Sequence, residues 1–166
     1  MKEPAASLQV DMQRRVSAWA PGARVIAQWA GTAIGRLAAG GELGVRVVGT
    51  AESRRLNARY RGKDQPTNVL SFPSAPLPGR APGASVARGG RGGSRVLGDL
   101  VICAQVVRSE AREQRKSLEA HWAHLVVHGA LHLIGYDHER AAEAKRMERR
   151  EIAVLRRLGF SNPYRV

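Results

Sequence analysis

Five histidines stand in this chain, and all of them fall between residues 121 and 138. That crowding of His121, His124, His128, His132 and His138 constrains the fold more than any other feature. An α-helix advances about 100° and about 1.5 Å per residue, so His128 and His132 sit one turn apart, about 40° around the axis. Both rings can reach one small cation. His124 and His132 lie about 12 Å apart along such a helix, too far to share an ion. A third ligand has to come from a chain that turns back. Gly135 supplies the turn, because glycine takes the left-handed conformation at a helix end without steric cost. His138 follows three residues later.

Three neutral imidazoles suit zinc, and three protein ligands leave a fourth position open to water. An open position is a catalytic layout, whereas a structural site would be closed by four ligands. Bound zinc lowers the pKa of water to about 7. Nickel or copper fits the same donors. His124, one turn before His128, reads as a support or packing residue behind the ligands, and His121 as a partner on the helix face. Asp137 can orient a ligand imidazole through its other ring nitrogen, or face solvent. Taken singly, each histidine reads as an ordinary packed or surface residue; the spaced triple with its glycine turn points to a metal. The spacing matches the zinc-protease signature, in which a glutamate directly after the first histidine serves as general base. Gly129 stands there instead, and a glycine cannot move a proton.

Charge bears on the substrate. Lys and Arg total 27 against 14 Asp and Glu, a formal net charge of +13. Such a balance favours polyanionic partners, although compositional drift toward Arg, Ala and Gly gives the same excess. An open zinc site on a basic protein suits phosphodiester hydrolysis, with an arginine to stabilise the developing charge. Arg61, in the turn from Tyr60 to Asp64, is the best placed; Arg59 and Lys63 are rivals.

The stretch at about 74–95 is rich in Pro and Gly and includes Arg88-Gly89-Gly90-Arg91-Gly92-Gly93. It buries too little to offset its ordering entropy and reads as a flexible loop. Arg88 and Arg91 add loose affinity for single-stranded nucleic acid, or belong to a solvated spacer. The single cysteine, Cys103, excludes an intramolecular disulfide and a multi-cysteine metal cluster, and fits a reducing compartment. No stretch approaches the roughly 18 apolar residues of a membrane span, and no leader sequence is visible. The expectation is a soluble, cytoplasmic protein.

Alternation and β-branching predict strands at 8–12, 43–48, 67–72 and 96–104. Helical spacing predicts helices at 21–39, 50–60, 106–114, 117–134 and 139–158. Thr50, with Ser53 as its rival, is the expected N-cap of the second helix and Ser117 that of the fourth. Gly159 stops the last helix. At 166 residues the chain reads as one α+β domain over residues 1–166. A small mixed sheet packs against helices, one of them a metalloprotease-like zinc helix.

Several longer stretches carry a resemblance: Tyr60 to Pro73 (YRGKDQPTNVLSFP), Leu97 to Cys103 (LGDLVIC), His121 to His124 (HWAH), His128 to His138 (HGALHLIGYDH), Leu158-Gly159-Phe160 and Pro163-Tyr164. With these the chain resembles the YbeY family of bacterial endoribonucleases, over most of residues 43 to 164. The resemblance implies one zinc ion per chain, held by His128, His132 and His138, with the catalytic arginine at Arg61. It implies metal-dependent cleavage of single-stranded RNA, maturation of rRNA (chiefly the 3′ end of the small-subunit rRNA), and ribosome quality control. Expected partners are single-stranded RNA, rRNA and the ribosome or its proteins, with no membrane and no DNA. Rival readings are a zinc metallopeptidase-like hydrolase and a non-catalytic ribosome-assembly factor with structural zinc.

Overall fold

The computed structural model describes residues 8–74 and 95–165. The expected flexible loop, with Arg88 and Arg91, lies outside the described residues apart from its ends. Strand β1 (Gln9–Arg14) leads through helix α1 (Ala23–Ile34) into β2 (Gly41–Val48). Helix α2 (Thr50–Arg61) and strand β3 (Val69–Pro73) follow, then β4 (Arg95–Cys103), α3 (Ala104–Glu113), α4 (Leu118–Leu133) and α5 (Ala141–Arg157). The four strands form one mixed sheet in the order β1-β2-β4-β3. β1, β2 and β4 run parallel, and β3 is antiparallel to β4. The α+β architecture expected from the sequence is the one observed.

β4 is the interior strand that decides the layers. Leu100 and Ile102 face a large core shared with Leu43, Val45 and Val47 of β2 and with α1, α4 and α5. Val101 and Cys103 face the opposite side, where they join Val48, Leu70 and the half-buried Leu56 of α2. A strand buried on both faces explains the nearly continuous apolar run of its sequence. α4 lies in the larger core; Trp122, Val126, Val127, Ala130 and Leu131 are fully buried. Its start is held by Ser117, whose Oγ accepts the Ala120 N–H at 3.1 Å, as its N-cap reading predicts.

Some boundaries differ from the sequence reading. The helix expected over 21–39 ends at Ile34 and gives way to a 3-10 turn at Gly35–Ala38, because Gly35 leaves helical geometry at φ 76°. Pro73 belongs to β3, paired with Gly98 at the sheet edge, where its missing N–H costs no ladder bond. Neither Thr50 nor Ser53 caps α2; Gly49 holds that position without a side-chain bond. Ser53 instead donates to the Thr67 carbonyl at 3.0 Å and accepts the Thr67 N–H at 2.9 Å. The buried Asn57 donates to the Gln65 carbonyl at 2.8 Å. Two polar side chains on the inner face of α2 thus pin the loop that follows it.

Among the described residues, no helix is long and apolar enough to cross a membrane. Gly98 is closely hemmed in by backbone of the neighbouring strand. Its φ of +146° is one that side-chain-bearing residues rarely adopt, and a Cβ there would stand 2.5 Å from the Phe72 carbonyl oxygen and 2.9 Å from Leu133 Cδ2. Gly98→Ala is therefore expected to lower unfolding free energy by about 2–4 kcal/mol. Urea denaturation of both proteins measures it, and an unchanged midpoint would refute the steric argument.

Candidate metal centre

α4 presents its histidines on one narrow stripe. From residue 121 to 133 the residues that are not buried are His124, His128 and His132, one every fourth position. Past Leu133 the chain reverses as the sequence predicts. Gly135 sits at φ 107°, and the Tyr136 N–H returns to the Leu131 carbonyl at 3.1 Å, closing the helix end. The reversal brings His138 back over the last turn. One ring nitrogen each of His128, His132 and His138 lies within 4.8 Å of the others, the arrangement of a group able to hold a metal ion. His128 Nε2 and His132 Nε2 are 3.2 Å apart.

A buried carboxylate supports this set from behind. Glu151 of α5 is 1% exposed. Its Oε2 lies 2.9 Å from His128 Nδ1; its Oε1 lies 2.7 Å from His124 Nε2 and 2.6 Å from the Tyr164 hydroxyl. Burial alone would push the Glu151 carboxyl up. Hydrogen bonds from His124, His128 and Tyr164 outweigh it and bring the group down to about 2. The carboxylate is ionised and can only accept, so each of the three partners donates. His124 is pushed below its ordinary value by burial, which outweighs the hydrogen bond to Glu151 that raises it. Burial also raises the Tyr164 hydroxyl, and its bond to Glu151 adds to the shift.

A second pair stands one turn earlier. His121 Nε2 lies 2.8 Å from Glu110 Oε1, and Asn68 Nδ2 donates to the same carboxylate at 3.0 Å. This ties α3, α4 and the start of β3 together. Burial of Glu110 is outweighed by its bonds to His121 and Asn68, which lower its pKa.

The triad opens into a cleft of about 210 Å³ that is also lined by Arg61, Lys63, Asn68 and Ser71. Arg61 closes α2, and Lys63 follows in the loop held by Ser53 and Asn57. The structure therefore brings Arg61 and Lys63 into the histidine cleft. Arg59 does not line it; its guanidinium sits over the Tyr60 ring, 5.3 Å from the centroid. Asp137 holds His138 through the backbone, accepting its N–H at 2.7 Å, while the ring Nδ1 is 3.7 Å away, beyond hydrogen-bond reach. The imidazole-orienting bond considered for Asp137 is made by Glu151, to His128. His124 stands on the same carboxylate as His128. A larger groove of about 1210 Å³ runs beside the triad, walled by His124, Lys116 and Tyr164.

Gly129 marks how closely α4 lies on the sheet. A Cβ there would meet Leu100 Cδ2 at 2.8 Å and both Ser71 Oγ and Val69 Cγ2 at 3.3 Å. Ser71 Oγ donates to the Gly129 carbonyl at 3.2 Å. The position beside the first histidine is crowded by side chains of the sheet, and a side chain there has to displace Leu100.

Residues 11–159 match the family described as Endoribonuclease YbeY. The chain belongs to the YbeY family. Membership gives it an endoribonuclease role in rRNA processing. Its fold is similar to the solution structure of TM1509 from Thermotoga maritima, with a TM-score of 0.52 and 21% identity, covering 95% of this chain and 100% of that one. His128, His132 and His138, the candidate ligands read from the sequence, are the residues whose ring nitrogens the structure draws together.

In the sequence Glu151 is disguised by Arg149 and Arg150, which make it part of a charged run. Its spacing from Met147, Val154 and Leu155 put it on the buried stripe of α5, and that was the available signal.

Burial, then the neighbouring His128 and His138, push His132 from 6.5 to about 4. The unfolded chain takes up this proton near 6.5 and the folded chain only near 4, so acid favours unfolding between those values. Chelator-treated protein should keep its full thermal midpoint above about pH 6.5 and lose stability steadily as pH falls toward about 4. Scanning calorimetry across that range checks this, and a flat midpoint would contradict it.

Proposed function

We propose that this protein is a zinc-dependent, single-strand-specific endoribonuclease that matures rRNA, chiefly the 3′ end of the small-subunit rRNA, and serves ribosome quality control in the cytoplasm. One observation carries the reading: three imidazole nitrogens within 4.8 Å of one another share a cleft with Arg61 and Lys63. The donor set fits zinc. Two nitrogens on a tetrahedral zinc at about 2.0–2.1 Å stand about 3.3 Å apart, and His128 and His132 are already at 3.2 Å. The lowered pKa of His132 keeps its ring neutral and able to donate a lone pair near neutral pH.

His128, His132 and His138 would hold the ion, which supplies Lewis acidity toward a phosphoryl oxygen and a water of lowered pKa. The remaining work falls to the chain itself. The Arg61 guanidinium, a planar fork of donors, binds the non-bridging oxygens of the scissile phosphate and stabilises their growing charge. Lys63 adds a point charge that draws the strand into the cleft. Ser53 and Asn57 fix the loop on which Lys63 rides and the segment from Gln65 to Thr67. Arg59 adds a cation for single-stranded RNA and the ribosome, and the sequence supplies Arg88 and Arg91, outside the described residues, as further candidates; no DNA or membrane partner is expected.

A peptidase reading is disfavoured by Gly129, since the position of the general base has no side chain and is crowded by Leu100. A structural-metal reading needs a fourth protein ligand, and among the described residues the convergent group is His128, His132 and His138.

His128→Ala and His132→Ala are expected to lose bound metal, by elemental analysis, together with cleavage of a defined single-stranded RNA. Arg61→Ala should retain the metal and lose about 100-fold in turnover. Wild-type cleavage by a histidine variant, freshly purified and metal-free, would end the metal reading; undiminished turnover in Arg61→Ala would remove the arginine from it. RNA affinity should fall with added salt as phosphate contacts release counterions, and a salt-independent affinity would contradict the role of the basic cleft.

A further inference from the structure

We propose that Glu151 is the positioning residue of the metal centre: the carboxylate shared by His124, His128 and Tyr164 fixes His128 as the Nδ1–H tautomer. That aims its Nε2 lone pair at the place it shares with His132 and His138. The Tyr164 hydroxyl, arriving from the C-terminal segment, holds the carboxylate in that role. The inference rests on the metal reading above and adds to it which residue prepares the ligand.

The argument is one of donor accounting. Glu151 is 1% exposed, so solvent satisfies none of its lone pairs. Three groups approach it within hydrogen-bond distance, at 2.6, 2.7 and 2.9 Å. An ionised carboxylate brings no proton, so all three contacts are bonds only if Tyr164 O–H, His124 Nε2–H and His128 Nδ1–H each donate. A neutral His128 that donates from Nδ1 has a bare Nε2. The approach of His132 Nε2 to His128 Nε2 at 3.2 Å agrees, since two protonated nitrogens would not settle there. A metal ligand needs that same bare nitrogen. His124 shares the carboxylate, but among the described residues the convergent ring nitrogens are those of His128, His132 and His138, so it stands behind the ligands rather than among them.

Tyr164 extends the network beyond α5. Its ring meets His124 edge-on with centroids 5.3 Å apart, and its backbone N–H is held by Asn162 Oδ1 at 2.8 Å. Lys116 Nζ donates to the Pro163 carbonyl at 2.7 Å and fastens the same segment to the start of α4. The C-terminal segment thus reaches the metal ligand through two hydrogen bonds, Tyr164 to Glu151 and Glu151 to His128.

Glu151→Gln distinguishes positioning from simple packing because it keeps the volume and replaces one acceptor oxygen with a donor. An amide nitrogen facing His128 Nδ1 forces that atom to accept and puts the proton on Nε2, where the ion should sit. Chelator-stripped wild type, Glu151→Gln and Tyr164→Phe are compared by circular dichroism and thermal unfolding, then titrated with zinc against a chromophoric chelator. Metal-free wild type labelled with ¹⁵N-histidine reports the His128 tautomer directly. The expected result is a protonated Nδ1 and a bare Nε2 in wild type. Zinc affinity should be about 10–100-fold weaker in Glu151→Gln and weaker by a smaller factor in Tyr164→Phe. A folded Glu151→Gln that holds zinc within about twofold of wild type would overturn the inference. So would a His128 protonated on Nε2 in wild type, which decides the matter even if the glutamine variant fails to fold. If wild type itself takes up no zinc, the metal reading fails by that result alone, and the tautomer still decides what Glu151 does to His128.

Discussion

α4 meets protein on nearly every side. It lies against β3 and β4 below, α1 and α3 alongside, and α5 beyond, and its residues from 121 to 133 are buried except at three positions four apart. A helix enclosed in this way can carry polar groups only where a gap is left, because a buried imidazole without partners costs free energy. The gap fixes where histidines can stand, and a single gap aligns them. Everything at the centre follows from that alignment: two rings one turn apart, a third returned by the reversal at Gly135, and a carboxylate from α5 closing the side away from the cleft.

Charge is sorted by depth around the same helix. The chain carries an excess of 13 positive charges, yet the groups nearest the back of the histidine stripe are the acids Glu110 and Glu151. Each is held ionised by hydrogen bonds from histidine together with a second donor, Asn68 or Tyr164. Since these carboxylates are spoken for by interior donors, the character of the cleft mouth is left to Arg61 and Lys63. A polyanion approaching it meets cations first.

Much of this was readable from the chain. The triad, the reversal at Gly135 and the Ser117 cap depend on short-range geometry, and spacing along one helix is enough to specify them. Arg61 was picked out by its turn and its charge, and the structure sets it in the histidine cleft. What spacing could not supply were contacts made across the fold. Glu151 comes from a helix that begins after the last histidine and looks solvated from its arginine neighbours. Ser53 looked like a cap because Ser and Thr favour caps locally; the bond to Thr67 that it makes instead exists only once α2 is docked. Asp137 adjoins His138, and that adjacency puts its carboxylate on the backbone N–H rather than on the ring.

The contact at Gly129 has an evolutionary side. A centre with this ligand set could be turned toward peptide chemistry by one codon if only the side chain were missing. Here Leu100, Val69 and Ser71 already occupy the volume that a new carboxylate would claim. Leu100 must first give way, and Val69 and Ser71 adjust, before the alternative chemistry becomes reachable. The side chains packed over that one glycine, Leu100 foremost, stand between this histidine centre and a peptide-cleaving one.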